Sequence, residues 1–97
     1  MRVIAKRTLV KFWESNKDSE QPLLAWHDIV KKANWKNFND IKTVFKNSSI
    51  VGNDRIVFNI KGNEYRLIVK ADFKWQVLYI RFIVTHKEYD KLDVKNI

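Results

Sequence analysis

Apolar and polar residues follow two different periods along this chain. Before residue 50 the apolar residues recur at spacings of three and four, which is typical of helices with one buried face. From residue 55 the spacing changes to two, which indicates strands. Short loops between those strands require antiparallel pairing. The pattern predicts an α+β domain in which an N-terminal strand and helices pack on one face of an antiparallel sheet, with a short C-terminal helix at the end.

The helical half is predicted to contain one short strand and three helices. MRVIA at 1–5 forms the strand, and KRTLVKFWESN forms the first helix. The second helix begins around Pro22, a residue that a first helical turn tolerates. NDIKTVFKNSS forms a shorter third helix with Asn39 or Asp40 as its N-cap. The residues expected to face inward are Ala5, Leu9, Phe12, Trp13, Leu23, Trp26, Val30, Ala33, Ile41, Val44 and Phe45.

The second half is predicted to be a meander of the strands RIVFNI, EYRLIVKA and WQVLYIRFIVT, with KGN as the first turn. Alternation assigns each side chain of these strands to one of two faces. The residues expected on the core face are Ile56, Phe58, Ile60, Tyr65, Leu67, Val69, Ala71, Leu78, Ile80, Phe82 and Val84. The residues expected on the opposite face of the last two strands are Glu64, Arg66, Lys70, Trp75, Val77, Tyr79, Arg81 and Ile83.

Two arginines are expected to meet on this second face of the sheet. A four-residue loop at 72–75 places Arg66 opposite Arg81, whereas a two-residue loop places Arg66 opposite Tyr79 with Arg81 on the diagonal. Like charges side by side destabilise a sheet unless a negative group lies between them. The partner of the pair could therefore be a nearby carboxylate, and the acidic residues close enough are Glu64, Asp54 and Asp72.

The other residues of the second face favour an RNA-binding surface over a purely structural arginine pair. Tyr79 and Trp75 share the face, Lys70 is nearby, and Lys61 lies in the adjoining turn. Guanidinium groups grip phosphate in bidentate fashion, and aromatic rings stack on bases. We therefore predict a basic, aromatic platform for RNA on this face.

The composition supports a polyanionic partner. Nineteen Lys and Arg against eleven Asp and Glu give a net charge of +8, which favours nucleic acid first, acidic protein segments second and anionic lipid third. A basic surface kept only for solubility is the alternative. Ninety-seven residues make a single domain, 1–97. The chain has no cysteine and no apolar run near the ~20 residues of a membrane span, so we expect a cytoplasmic protein that does not enter a membrane.

The last predicted helix begins with a capping box. Thr85 and Glu88 stand at the N-cap and N3 positions, so a helix is expected from His86 to about Leu92. The N–H groups of a helix start favour anions, and Lys87 would be unfavourable there without a phosphate nearby. An ordinary surface helix start is the alternative. The strand that carries Arg81 leads directly into this helix, which favours a shared phosphate site.

Together these groups predict a metal-independent ribonuclease site that needs no cofactor. RNA cleavage requires that the 2′-hydroxyl lose a proton, that the pentacovalent phosphate be stabilised and that the leaving 5′-oxygen gain a proton. Arg66, Arg81 and Lys87 suit the phosphate. His86, Tyr89 or a lysine could share the proton transfers, and the sequence leaves open which is base and which is acid. His27, in the second helix, is interpreted as a surface or boundary residue.

Two stretches, NIKGNEYRLIVKADF and LYIRFIVTHKEYDK, resemble the HigB toxins of type II toxin–antitoxin systems, which belong to the RelE-like superfamily. MRVIAKRTLVKFWE and WHDIVKKANWKNFNDIKTVF are similar to the helical half of the same family, so the resemblance covers nearly the whole chain. It implies a RelE-like fold and an mRNA interferase that usually cuts mRNA on the ribosome. It also implies a cognate helix-turn-helix antitoxin, HigA-like, that holds the toxin inactive.

The resemblance also implies roles for individual residues. Arg66 matches the arginine that contacts the scissile phosphate, and His86 and Lys87 match the basic pair at the start of the last helix. Tyr89 stands near a C-terminal tyrosine used by several members. Arg81, Lys61 and Asn63 belong to this branch's own pattern. The glutamate that some relatives use as base is missing unless Glu64 serves. The expected catalytic residues are thus Arg66, Arg81, His86, Lys87 and Tyr89, and the expected RNA-binding residues are Lys61, Asn63, Lys70 and Tyr79.

Two other functions remain open at this point. A non-catalytic RNA-binding module would use the same basic face and leave transcripts uncut. A degenerate toxin would survive as an antitoxin-binding protein whose basic face docks on an acidic antitoxin segment.

Overall fold

The computed structural model describes residues 1–93. Within this range the helices are α1 (Lys6–Ser15), α2 (Glu20–Lys32), α3 (Phe38–Val44) and α4 (His86–Tyr89), with a short 3-10 helix at Lys17–Ser19. The strands are β1 (Arg2–Ile4), β2 (Ser49–Gly52), β3 (Arg55–Ile60), β4 (Tyr65–Asp72) and β5 (Val77–Thr85). None of the helices in residues 1–93 combines the length and apolar character needed to cross a membrane.

The strands form one sheet in the order β1-β5-β4-β3-β2. Each neighbouring pair among β2 to β5 is antiparallel, as the short loops predicted. The helices carry the chain from β1 at one edge of the sheet to β2 at the other edge, and the β2–β5 meander then returns it to β1, with which β5 pairs in parallel. The α+β class is confirmed, with a mixed rather than fully antiparallel sheet. The short edge strand β2 was not predicted, and only its first residue, Ser49, falls in the stretch assigned to the third helix.

The main core lies between α1–α3 and one face of the sheet. The fully buried apolar side chains at its centre are Leu9, Leu23, Val30, Ile41, Ile56, Leu67, Val69 and Leu78. Helix α3 differs from its prediction. Its N-cap is Asn37, whose side-chain oxygen accepts a 3.0 Å hydrogen bond from the Asp40 backbone N–H, so the predicted caps Asn39 and Asp40 lie inside the helix. Val44, predicted to face inward, is 50% exposed at the helix end.

The pairing of β4 with β5 contains a β-bulge that the sequence pattern did not predict. Ile68 pairs with Phe82 and Val69 pairs with Ile80, which leaves Arg81 as the extra residue. One extra residue reverses the face of every following side chain. Ile83 therefore packs against the main core, whereas Phe82 and Val84 lie on the second face. The predicted assignment of these three residues was wrong.

The second face is partly covered by α4 and the residues that follow it. Val57 and Ile68 form a small buried cluster there, and Tyr89 and Leu92 pack against it. Helix α4 is shorter than predicted, since it ends at Tyr89 rather than near Leu92. The predicted open platform is thus divided into an apolar half beneath α4 and an exposed half beside β5.

Candidate functional site

The capping box fixes the start of α4, as predicted. Glu88 donates its backbone N–H to the Thr85 hydroxyl oxygen over 3.2 Å, and a Glu88 carboxylate oxygen accepts the Thr85 backbone N–H over 3.1 Å. These bonds hold the pKa of Glu88 below its ordinary range, with the Thr85 backbone N–H as the largest cause and the Thr85 hydroxyl next. The short helix therefore begins at a defined residue and presents His86 and Lys87 on its first turn.

The β3–β4 turn is tied to the start of α4 and brings Arg66 beside the helix. His86 donates its backbone N–H to the Glu64 carbonyl over 3.0 Å. Arg66 donates from Nη1 to the Asn63 carbonyl over 3.1 Å, and its guanidinium carbon lies 5.7 Å from the centre of the Tyr89 ring. The Tyr89 ring in turn packs on the small apolar cluster of the second face. The guanidinium group is therefore positioned from two directions, by a backbone acceptor and by an aromatic ring.

A shallow cavity of about 450 Å³, here called the helix-end cavity, opens at this junction. It is lined by Asn63, Glu64, Thr85, His86, Lys87 and Asp90. His86 Nδ1 lies 3.8 Å from Asp90 Oδ1, which places a carboxylate on the same side of the helix as the imidazole. Lys87 lines the cavity, and Arg66, outside the lining, donates to the carbonyl of Asn63, which does line it. A phosphate bound here would meet donors from β4 and from α4.

Arg81 lines a different cavity, here called the bulge cavity, of about 580 Å³. Its lining residues are Asp54, Lys70, Ala71, Asp72, Phe73, Tyr79 and Arg81. Lys70 pairs directly with Tyr79, and both face away from the helices, opposite to the core residues Val69 and Ala71. Two carboxylates, Asp54 and Asp72, offset part of the positive charge. The bulge cavity therefore combines an aromatic ring with two cations but is less basic than a cation cluster alone.

The predicted pairing of Arg66 with Arg81 or Tyr79 was wrong. Arg66 pairs with Val84, three positions beyond Arg81 on β5, because the real loop is residues 73–76 and the bulge shifts the register. Because a strand rises about 3.3 Å per residue, the three positions separate Arg81 from the partner of Arg66 by about 10 Å along β5. The two arginines therefore do not form a side-by-side pair: Arg81 lines the bulge cavity, whereas Arg66 lies beside Tyr89 and Asn63.

Lys61 lies in the β3–β4 turn as predicted, whereas Trp75 does not lie on the strand predicted for it. Lys61 donates from Nζ to the Asp18 carboxylate, which also accepts the Tyr65 hydroxyl, so its ammonium lies toward the 3-10 helix. These hydrogen bonds lower the pKa of Asp18, raise that of Lys61 and raise the pKa of Tyr65 to about 12. Trp75 lies in the turn before β5 rather than on the strand, and it is 68% exposed.

Sequence reasoning missed Asp90, which lines the helix-end cavity and faces His86. The signal was present, since residues four apart lie on the same side of a helix.

Known proteins are similar to this chain over most of its length. The model of a family described as HigB_toxin, RelE-like toxic component of a toxin–antitoxin system, matches residues 19–92. The mRNA interferase toxin HigB of Escherichia coli (strain K12) is 32% identical over 92 residues, which cover 93% of this chain and 88% of that protein. Proteins named mRNA interferase HigB from Escherichia coli O157:H7 and Shigella flexneri match with the same identity and coverage.

Proposed function

Since the chain belongs to the HigB family of RelE-like toxins, the toxic components of toxin–antitoxin systems, we propose that it is an mRNA interferase that cleaves RNA at the helix-end cavity. The observation that carries the proposal is the convergence of Arg66 with α4. A guanidinium group braced by the Tyr89 ring lies next to a cavity that also holds His86 and Lys87. This set contains both a phosphate clamp and groups that can move protons.

The proposed reaction is an internal attack within the RNA. The 2′-oxygen bonds to phosphorus as its proton leaves to a base, and the bond to the 5′-oxygen breaks as that oxygen takes a proton from an acid. Charge builds up on the phosphate oxygens, where Arg66 and Lys87 stabilise it. His86, held toward Asp90, and Tyr89 are the candidates for the proton transfers. The products are a 2′,3′-cyclic phosphate and a 5′-hydroxyl.

Neighbouring nucleotides are proposed to lie along β5. Arg81 and Lys70 in the bulge cavity would bind a second phosphate, and the Tyr79 ring would stack on a base. Asn63, which lines the helix-end cavity, would contact the nucleotide at the cleaved bond. Arg81 thus acts on the same RNA strand as Arg66 but at an adjacent phosphate.

Two partners complete the proposal. The substrate is proposed to be mRNA that is being translated on the ribosome, and the inhibitor is proposed to be a HigA-like helix-turn-helix antitoxin. The net charge of +8 supports both an RNA partner and a partner with acidic segments.

The test is an Arg66→Ala variant expressed under an inducible promoter, with transcript 5′ ends mapped after induction. Loss of the phosphate clamp is expected to slow cleavage by about 10²- to 10³-fold, the usual effect of removing one donor to a developing oxyanion. Arg66→Lys keeps the charge without the planar fork and should recover only part of the activity. Growth arrest should fall in parallel and be relieved by the antitoxin.

The matched control is Lys11→Ala, which removes the same charge from an exposed position on α1. It should cleave like the wild type. Uncut transcripts in cells arrested by the wild-type protein would contradict the nuclease proposal. Full activity in folded Arg66→Ala would contradict the assignment of the site.

A further inference from the structure

A third cavity, of about 500 Å³, lies at the end of the sheet opposite α4. Here called the β1 cavity, it is lined by Met1, Arg2, Val3, His27, Lys31, Trp75 and Gln76. It forms where β1 and the turn before β5 meet the last turns of α2. Among the described residues that line it, none is acidic, in contrast to the bulge cavity with its two aspartates.

The turn that carries Trp75 is held firmly, although the indole is exposed. The Trp75 backbone N–H donates to Asp72 Oδ1 over 3.0 Å. Gln76 Nε2 donates to the carbonyls of Phe73 and Trp35 over 2.9 and 2.6 Å. Burial of a tryptophan is strongly favourable, and an indole left 68% exposed on this turn offers a surface on which another flat group can stack. The Lys74 ammonium lies over one face of the ring, 5.6 Å from the indole centre, so a base would stack on the other face.

The surroundings of this indole are electropositive. Arg2 and Lys31 both line the β1 cavity and are exposed. The pKa of His27 is lowered, first by partial burial and then by the charges of Lys6 and Lys31. The Asp28 carboxylate acts in the opposite direction but is engaged by Lys32 over 3.1 Å. An anionic group entering the cavity would therefore gain from cations on β1 and on α2.

We propose that the β1 cavity is a distal subsite for single-stranded RNA, in which a base stacks on Trp75 and its phosphate binds Arg2 and Lys31. This inference rests on the proposed function, because it places the subsite on the strand that is cleaved at the helix-end cavity. Strand β5 runs between the two sites. The RNA would pass around the edge of the sheet, because α2 lines the β1 cavity whereas Lys70 and Tyr79 in the bulge cavity face away from the helices. Its length from Val77 to Thr85 corresponds to about 27 Å, a distance that several nucleotides span, with the bulge cavity between.

An aromatic plane next to cations favours RNA over an acidic protein segment as the occupant. Acidic side chains match the arginine and lysine but have no flat apolar group for the exposed indole. A nucleotide supplies both features in one unit, a base with a π-face and a phosphate. The antitoxin is the other partner of this protein and becomes one of the outcomes of the test.

The test uses 2′-O-methyl oligonucleotides, which lack the attacking 2′-hydroxyl and so report binding without cleavage. A short oligonucleotide and versions extended by several nucleotides at the 5′ or the 3′ end are compared by fluorescence anisotropy. Extension at one end should tighten binding to the wild type, and that end gives the polarity of the strand. Trp75→Ala should weaken binding of this extended RNA by about tenfold and leave the short RNA unaffected.

Two further variants and a matched control measure the contributions of the aromatic ring and of the cations separately. Trp75→Phe keeps an aromatic ring and should retain most of the gain from extension. The double variant Arg2→Ala with Lys31→Ala should lose it, whereas Lys11→Ala with Lys36→Ala, which removes the same charge from exposed positions outside the cavity lining, should not. Circular dichroism and thermal unfolding verify that each variant is folded.

The outcomes separate this inference from the proposed function. Equal binding of the extended RNA by wild type and Trp75→Ala would overturn the subsite, even if transcripts are cut normally. Trp75-dependent binding without any cleavage of translated mRNA would overturn the nuclease proposal while the subsite stands. A loss of antitoxin affinity in Trp75→Ala, with RNA binding unchanged, would overturn the subsite and assign the cavity to the antitoxin.

Discussion

At the scale of single residues, Asp18 joins the 3-10 helix to the β3–β4 hairpin. One carboxylate oxygen accepts the Tyr65 hydroxyl and the other accepts the Lys61 ammonium. Tyr65 is buried and also packs edge-on against Phe12, with 5.2 Å between ring centres. Asp18 therefore anchors the end of β4 from which Arg66, the next residue, projects to the other face.

This arrangement predicts a two-sided pH dependence for the contribution of Asp18 to stability. The pKa of Asp18 is lowered in the folded state, chiefly by the hydrogen bond from Lys61 and next by that from Tyr65. Its contribution is therefore present above the ordinary aspartate pKa of about 4 and is lost as the pH falls through the lowered value. The pKa of Tyr65 is raised to about 12. The stability that comes from the Tyr65 hydroxyl donating to Asp18 is present below the ordinary tyrosine pKa of about 10, and it is lost as the pH rises toward the raised value.

Asp18→Asn should accordingly lower the urea midpoint near neutral pH, and its difference from wild type should shrink at both extremes. The matched control is Asp28→Asn, because Asp28 forms an exposed pair with Lys32 on one helix and should contribute little. A difference between Asp18→Asn and wild type that is constant across the pH range would contradict this account.

At the scale of elements, the sequence predicted the face of each core side chain in β3, β4 and β5 correctly up to the bulge in β5 and incorrectly after it. The alternation of β3 and β4 assigned Ile56, Phe58, Leu67 and Val69 to the core, and they are buried there. In β5 the same reasoning failed after Ile80, because Phe82, Ile83 and Val84 are all apolar and their order does not reveal that Arg81 is an extra residue. Both faces are apolar because Tyr89 and Leu92 cover the second one, a tertiary contact that local periodicity does not encode.

The candidate site was predictable only where local sequence determines geometry. The capping box identified the start of α4, and so placed His86 and Lys87 correctly on its first turn. The position of Arg66 relative to Arg81 depended on the loop length and on the bulge, so the predicted register was wrong. The engagement of Lys61 by Asp18 joins residues 43 positions apart, which no local pattern reveals.

Helix α4 is short, so its capping box should matter for both stability and activity. Thr85→Ala removes the hydroxyl that accepts the Glu88 backbone N–H. The free energy of unfolding should fall by about 1 kcal/mol, the usual effect of losing such a cap. Cleavage should fall as well, because His86, Lys87 and Tyr89 lose their fixed positions. Urea denaturation and transcript 5′-end mapping measure the two effects.

Thr85→Ser retains the hydroxyl and is the control, expected to keep most of both properties. Unchanged cleavage by a folded Thr85→Ala variant would show that the cap does not position the site. The pKa of Glu88 is lowered, so its share of this stabilisation should be present above the ordinary glutamate pKa of about 4.3 and be lost as the pH falls through the lowered value.

At the scale of the whole molecule, the effect of the positive charge on RNA binding depends on where the cations lie. The three cavities follow β5 from the β1 edge to α4, and each contains at least one arginine or lysine. Net charge alone predicts a general attraction to polyanions, whereas this arrangement predicts a defined path for one RNA strand. The salt dependence of binding distinguishes the two, since it counts the phosphates that are neutralised.

For single-stranded RNA the logarithm of the binding constant should fall with the logarithm of salt concentration by about 0.7 per neutralised phosphate. Arg81→Ala should therefore reduce the magnitude of this slope by about 0.7 for an uncleavable RNA that spans the bulge cavity. Lys11→Ala changes the net charge equally but lies on α1, so its slope should match that of the wild type. If both variants reduced the slope equally, the attraction would be diffuse, because only a cation that contacts a phosphate releases the counterions bound there.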